Sequence, residues 1–107
     1  AISIHGRTRA QMYKGEACWE KIREVKNNTR MNIPVFGNGD VNTPQAAKEM
    51  RDKYGLDGAM IGREAIGNPW IFEEIKHYFE TGEIKTPPTL KERAEMAKKH
   101  LQLSLKW

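Results

Sequence analysis

The stretch from Asn32 to Trp70 constrains this chain more than any other. It holds two short apolar runs, Ile33-Pro34-Val35-Phe36 and Gly58-Ala59-Met60-Ile61. The first leads into Gly37-Asn38-Gly39-Asp40 and the second into Gly62-Arg63. Between them, Thr43 to Tyr54 carries a helix pattern, with Thr43 placed to cap it and Pro44 at the first helical position. Strand, helix and strand in that order make a βαβ unit, and both polar groups fall at strand C-termini. In parallel α/β folds ligands bind at those ends. Glycine lets a ligand approach the backbone, and free N–H groups at a helix start hold phosphate. The stretch therefore reads as half of a site for a phosphate-bearing cofactor.

The flanking sequence extends the pattern. Residues 2–5 read as a first strand with His5 at its end, followed by a polar loop through Tyr13, Lys14 and Gly15. Ala17 to Lys26 is helical, with Trp19, Ile22 and Val25 on one face. The second strand spans 33–37 and is almost wholly apolar, as a parallel strand covered on both faces is. Ala46, Ala47, Met50 and Tyr54 form the buried stripe of the second helix, Gly55 stops it, and the third strand is 58–62. Arg63 to Ile66 reads as a short helical turn. Asn68-Pro69 starts a helix carrying Trp70, Ile71, Ile75 and Phe79 and ending near Gly82. A linker with Pro87-Pro88 follows, and Thr89 with Glu92 fits a capping box for a last helix. Leu90, Ala94, Ala97, Leu101 and Leu105 run down one side of it. Lys91, Arg93, Lys98, Lys99 and His100 supply a basic face, suited to solvent or to RNA phosphates.

These units predict an α/β fold with a parallel sheet and, through right-handed crossovers, helices on one side of it. Three units alone leave both sheet edges unpaired and one face uncovered, with Ile4, Val35 and Met60 expected to be exposed. The chain of 107 residues opens in a strand-like run without Met, so a piece of a longer protein is expected, and self-association of the isolated piece with it. The net charge of +4 permits a polyanionic partner without requiring one. The single cysteine, Cys18, excludes an internal disulfide and a multi-cysteine metal site. It sits beside Trp19 with no base in evidence, which suits packing better than nucleophilic chemistry. His77 and His100 lack metal-ligand spacing. No apolar run approaches the ~20 residues of a membrane span, and no secretory signal is present, so a cytoplasmic location is expected.

The candidate chemistry sits at the strand ends. Asn38 offers donor and acceptor to a heterocycle or a ribityl hydroxyl, and Asp40 can accept from hydroxyls, although Asn38-Gly39-Asp40 would also serve as a plain turn. Arg63, after Gly62, brings a guanidinium fork to a helix start, which makes a phosphate clamp or, more simply, a surface ion pair. In eight-stranded βα barrels phosphate sites lie in the loops after the last two strands and at a short extra helix, which matches this layout. His5 can hydrogen-bond a ring or a phosphate, or be structural. Arg7 and Arg9, on the next loop, are candidates to meet an anionic substrate.

Several motifs occur in a fixed order. They are His5-Gly6-Arg7-Thr8-Arg9, then Tyr13, Gly15, Ala17 and Trp19, then Ile33-Pro34-Val35 with Gly37-Asn38-Gly39-Asp40, then Asp57-Gly58 with Met60-Ile61-Gly62-Arg63, Ala65 and Gly67-Asn68-Pro69-Trp70-Ile71-Phe72. Together they closely resemble the C-terminal part of the tRNA-dihydrouridine synthases, over most of residues 2–72. The resemblance implies a (β/α)8 TIM barrel with FMN as cofactor, its last three βα units in residues 1–85, and the start of a helical tRNA-binding domain in residues 86–107. In such enzymes reduced FMN delivers hydride to a uracil ring in tRNA, a cysteine on an earlier loop donates the proton, and NAD(P)H restores the flavin. Carried onto this chain, FMN binding falls on Asn38, Gly39, Asp40, Gly62 and Arg63, with His5 nearby. The first five βα units, the catalytic cysteine and a flavin-contacting lysine have no counterpart in these residues, so the isolated chain is expected to be inactive. Glu64 stands where glycine is common in the family. Two other readings stay open: another FMN- or phosphate-binding barrel enzyme, against which the Tyr13–Trp19 loop and Asn68-Pro69-Trp70 argue, and a non-catalytic RNA-contacting module.

Overall fold

A computed structural model describes all of residues 1–107. Its elements are β1 (Ile2–His5), α1 (Trp19–Lys26), β2 (Val35–Asn38), α2 (Pro44–Tyr54), β3 (Gly58–Met60), a single 3-10 turn (Arg63–Ala65), α3 (Ile71–Thr81) and α4 (Leu90–Ser104). The strands form one parallel sheet in the order β1-β2-β3. The register sets His5 beside Asn38 and Asn38 beside Met60, so the three strand ends lie in one row.

The elements begin and end where hydrogen bonding dictates. Pro34 has no N–H for the ladder, so β2 starts at Val35 rather than at Ile33. The Pro34 carbonyl accepts from the Ile2 N–H at 2.9 Å, and the Asp57 carboxylate accepts from the Val35 N–H at 2.7 Å. β3 stops at Met60, two residues short of the expected end. Beyond Asn38 the partner strand turns away, because Gly39 takes φ +122°. The Asn38 side-chain amide donates to the Met60 carbonyl at 2.8 Å, in place of a further ladder bond. α1 begins at Trp19, two residues later than its pattern, because Cys18 is still extended. The Thr43 hydroxyl accepts from the Ala46 N–H at the start of α2, and Gly55, at φ +66°, ends it.

α1 and α2 cover one face of the sheet. The core there consists of Trp19, Ile22, Val35, Val41, Ala47 and Leu56. Val35 is therefore fully buried beneath the helices rather than exposed on the open face. Strand side chains alternate, so the other face carries Ser3, His5, Phe36, Asn38 and Met60. No helix covers that face, and Met60 on it is 53% exposed. α3 packs on α2, with Ile71 buried and the Arg51 guanidinium 4.3 Å above the Phe79 ring. α4 has the expected capping box at Thr89 and Glu92. Every residue from Thr89 to Trp107 is exposed, the apolar stripe of α4 included.

Trp19 joins this core to the strand ends. Its ring lies against Gly37, where a Cβ would run into the indole and come within 2.7 Å of Leu56. Its Nε1–H donates to the Gly39 carbonyl at 2.9 Å, and the ring packs 5.9 Å from Tyr54. Trp19→Phe removes that buried hydrogen bond and leaves a void. It should cost on the order of 2 kcal/mol of stability, read as a lower midpoint in urea unfolding. An unchanged midpoint would show that Trp19 does not anchor the strand-end loop.

Candidate functional site

The C-terminal ends of the three strands open into a cleft of about 970 Å³. His5, Arg7, Arg9, Asn38, Gly39, Asp40, Gly62 and Arg63 all line it. Residues spread along the chain from position 5 to 63 thus share one concavity because parallel strands put their ends on one side. Cys18 is exposed and is not among the lining residues.

The Asp40 carboxylate is the hub. Arg7 Nη2 donates to both of its oxygens, at 2.7 and 2.8 Å, and the Ala17 N–H donates to Oδ2 at 2.7 Å. Arg7 also reaches the Gly15 carbonyl, at 3.1 Å from Nε and 2.6 Å from Nη2. One carboxylate therefore ties the loop after β1, the approach to α1 and the loop after β2 together. The backbone around it is confined: Asp40 is left-handed at φ +59°. A Cβ on Gly39 would come within 2.6 Å of the Ala17 methyl and 3.2 Å of the His5 ring. Only glycine fits there.

Two residues read from the sequence as ligand contacts also hold the cleft together. Both Asp40 oxygens are engaged by protein donors, so the carboxylate shapes the cleft. The Arg7 side chain is only 4% exposed, and its donors are taken up by Asp40 and the Gly15 carbonyl. Arg9, by contrast, is exposed at the cleft.

Arg63 is a second exposed cation of the cleft, in a loose ion pair with Asp40. Its side chain is 55% exposed, 3.7 Å from Asp40 Oδ1, with the guanidinium 4.6 Å above the Tyr13 ring. The turn that follows Gly62 is only three residues long, so the fork, rather than a helix dipole, carries the positive charge here. A Cβ added to Gly62 would meet nothing within 4 Å, so the backbone beside Arg63 is open. His5 Nδ1 lies 3.2 Å from the Asn38 carbonyl. A carbonyl only accepts, so that contact uses Nδ1–H and leaves Nε2 as the free ring nitrogen. Asn38 donates to Met60, which leaves its side-chain oxygen able to accept. Tyr13 and Ala17 were not singled out as site residues from the sequence. A tyrosine in a polar loop outside any apolar periodicity was the one signal for the former. A backbone N–H has no sequence signal.

Burial alone would raise the Asp40 pKa, but the hydrogen bonds from Ala17 and Arg7, with the charges of Arg7 and Arg63, hold it below the ordinary carboxylate value. A depressed folded pKa means that ionised Asp40 stabilises the fold. The contribution is complete above the unfolded value of about 3.9 and is lost as pH falls through the lower folded one. Asp40→Asn should therefore lower stability by about 2 kcal/mol at neutral pH. It should also make the acid limb of the stability curve shallower below about pH 4, where the native carboxylate takes up its proton. Urea unfolding of both proteins across that range checks this, and parallel curves would contradict it.

Comparison with known proteins bears on what this cleft serves. The family model for dihydrouridine synthase (Dus) matches residues 1–106. The chain is 46% identical over 102 residues to tRNA-dihydrouridine synthase B of Proteus vulgaris, which covers 95% of the chain and 31% of that relative. The corresponding figures for tRNA-dihydrouridine synthase B of Escherichia coli are 46% over 102 residues, 95% and 31%. For the Pseudomonas putida protein of the same name they are 46% over 101 residues, 94% and 29%. The chain thus spans about a third of the length of the curated relatives it matches.

Proposed function

The chain belongs to the dihydrouridine synthase family, and from that membership we propose that it forms the phosphate end of the FMN site in a tRNA-dihydrouridine synthase. The observation that carries the reading is the convergence of His5, Asn38, Gly39, Gly62 and an exposed Arg63 on one cleft. These residues fit a phosphate-bearing heterocycle. The Arg63 fork and the open backbone at Gly62 suit the phosphate. The Asn38 side-chain oxygen and His5 Nε2 suit a polar ring or a ribityl chain. Asp40 holds the loop that carries them. When bound, FMN supplies the hydride that reduces the uracil ring of a tRNA, with NAD(P)H as the source of electrons. Arg9, exposed at the rim, is placed to meet the RNA backbone.

The three βα units are, in this reading, part of a (β/α)8 barrel. A sheet covered by helices on one face only, with both edges unpaired, calls for further strands to close it. Residues 1–85 then belong to the barrel and 86–107 begin a helical tRNA-contacting domain, since α4 and its flanks bury nothing against the sheet. A tRNA substrate makes the cytoplasm the place of action, and no helix is long and apolar enough to cross a membrane. The 107-residue chain by itself is proposed to be inactive and to self-associate through its open edges. Light scattering coupled to size exclusion should give a mass of at least two chains, and a monomer would contradict this.

The test of function is a chimera in which this chain replaces the matching segment of the Escherichia coli relative. The chimera should bind FMN and form dihydrouridine in tRNA. A folded chimera that does neither would overturn the reading. In the same chimera, Arg63→Ala should weaken FMN binding by on the order of 2 kcal/mol, the worth of a charge-assisted contact to phosphate. Flavin titration measures it, and an unchanged dissociation constant would remove Arg63 from the phosphate site.

A further inference from the structure

Asp40 Oδ1 has two arginine neighbours, Arg7 Nη2 at 2.7 Å and Arg63 Nη2 at 3.7 Å. The first distance is a strong charge-assisted hydrogen bond; the second is a looser ion pair without a hydrogen bond. Arg7 is held from behind by the Gly15 carbonyl, with its side chain buried. It keeps this position although its third nitrogen, Nη1, is buried without a partner, a cost that its other bonds must outweigh. Arg63 is more than half exposed and rests on Tyr13. Which arginine holds Asp40 therefore decides where the charge of Arg63 is directed.

We infer that Arg7 is a positioning residue: by occupying Asp40 it keeps that carboxylate from drawing Arg63 out of their loose 3.7 Å ion pair into a hydrogen bond, and so leaves the Arg63 donors free for a phosphate. The inference rests on the phosphate reading of the cleft and adds a competition to it. Without Arg7, Asp40 is a carboxylate whose nearest guanidinium is Arg63, and closing 3.7 Å to a hydrogen bond takes a small movement of an exposed side chain. An Arg63 paired to Asp40 has its fork filled and its charge compensated, and meets a phosphate poorly. Removing the Asp40 charge as well takes the competitor away. A residue that served packing alone would show no such rescue, because a second substitution in the same network would only add damage.

The test uses the 107-residue chain with nitrogen-labelled arginine. NMR spectra of the wild type, Arg7→Met, Asp40→Asn and the double variant report Arg63 Nε–H exchange and its contacts to the Tyr13 ring. The wild type should show the contacts. In Arg7→Met they should be lost, with Nε–H exchange slowed about tenfold by pairing with Asp40. In the double variant the contacts should return. Missing contacts in the wild type, unchanged contacts in Arg7→Met, or no return in the double variant each overturn the inference. Should Arg7→Met alone fail to fold, the double variant decides: folded with Arg63 on Tyr13 it supports the competition, and unfolded it assigns Arg7 a purely structural role. Inorganic phosphate is then titrated into flavin-free chimeras with the Escherichia coli relative that carry the same four sequences. Arg7→Met should bind it about tenfold more weakly than the wild type, and the double variant should recover most of that loss. Phosphate that shifts Arg63 in none of the four overturns the phosphate reading, whatever the ligand-free spectra show.

Discussion

The carboxylate of Asp40 is the point on which the strand ends depend. The connections after β1 and β2 meet at the C-terminal edge of the sheet, where they share an anchor. Asp40 supplies it by accepting from the Arg7 side chain and the Ala17 backbone at once. The pair is unequal in exposure, 4% for the Arg7 side chain against 32% for Asp40, so the arginine is desolvated while the carboxylate keeps some contact with water. Such a pair is most informative as a device for fixing geometry, since the cost of desolvating a charge offsets much of its Coulomb gain. What it fixes is a left-handed backbone at Asp40 and a glycine that admits no side chain. The Trp19 indole secures the same loop from the core side, through the Gly39 carbonyl.

The alternation of strand and helix was legible because its signals are local. Thr43-Pro44 starts α2, Gly55 stops it, and Thr89 with Glu92 caps α4, each as the sequence predicts. Strand ends were harder to read, because they depend on partners. Ile33 looks like strand, but the Pro34 that follows has no N–H to give. Ile61 and Gly62 look like strand, but the neighbouring chain has already turned at Gly39. Val35 was expected on the open face and lies under the helices, since an apolar run carries no mark of which residue points which way. The gathering of candidate residues in one cleft followed from topology. The pairing of Arg7 with Asp40 did not, because it spans 33 residues and rests on side chains that, read singly, look like ligand contacts.

The architecture also explains why the site lies where it does. Two helices bury one face of the sheet, which leaves the opposite face and both edges uncovered. The row His5, Asn38 and Met60 crosses the top of that uncovered face, next to the cleft. A ligand resting on this row would meet side chains from one face and loop backbone from above. Arg63 stands at one end of the row, beyond β3, and the Arg7 side chain is buried against Asp40 and the Gly15 carbonyl. Two arginines with opposite exposures thus flank one carboxylate, Arg7 buried and Arg63 more than half exposed.

The central claim is that Arg63 and the loops anchored by Asp40 form a phosphate site, and comparing FMN with riboflavin tests it most directly. The two ligands share the flavin ring and the ribityl chain and differ in the phosphate alone. In the chimera with the Escherichia coli relative, FMN should bind more tightly than riboflavin by about 2 kcal/mol or more, a factor of roughly 30. Arg63→Ala should remove most of that difference while leaving riboflavin affinity nearly unchanged. Equal affinity for the two flavins in the unsubstituted chimera would contradict the account.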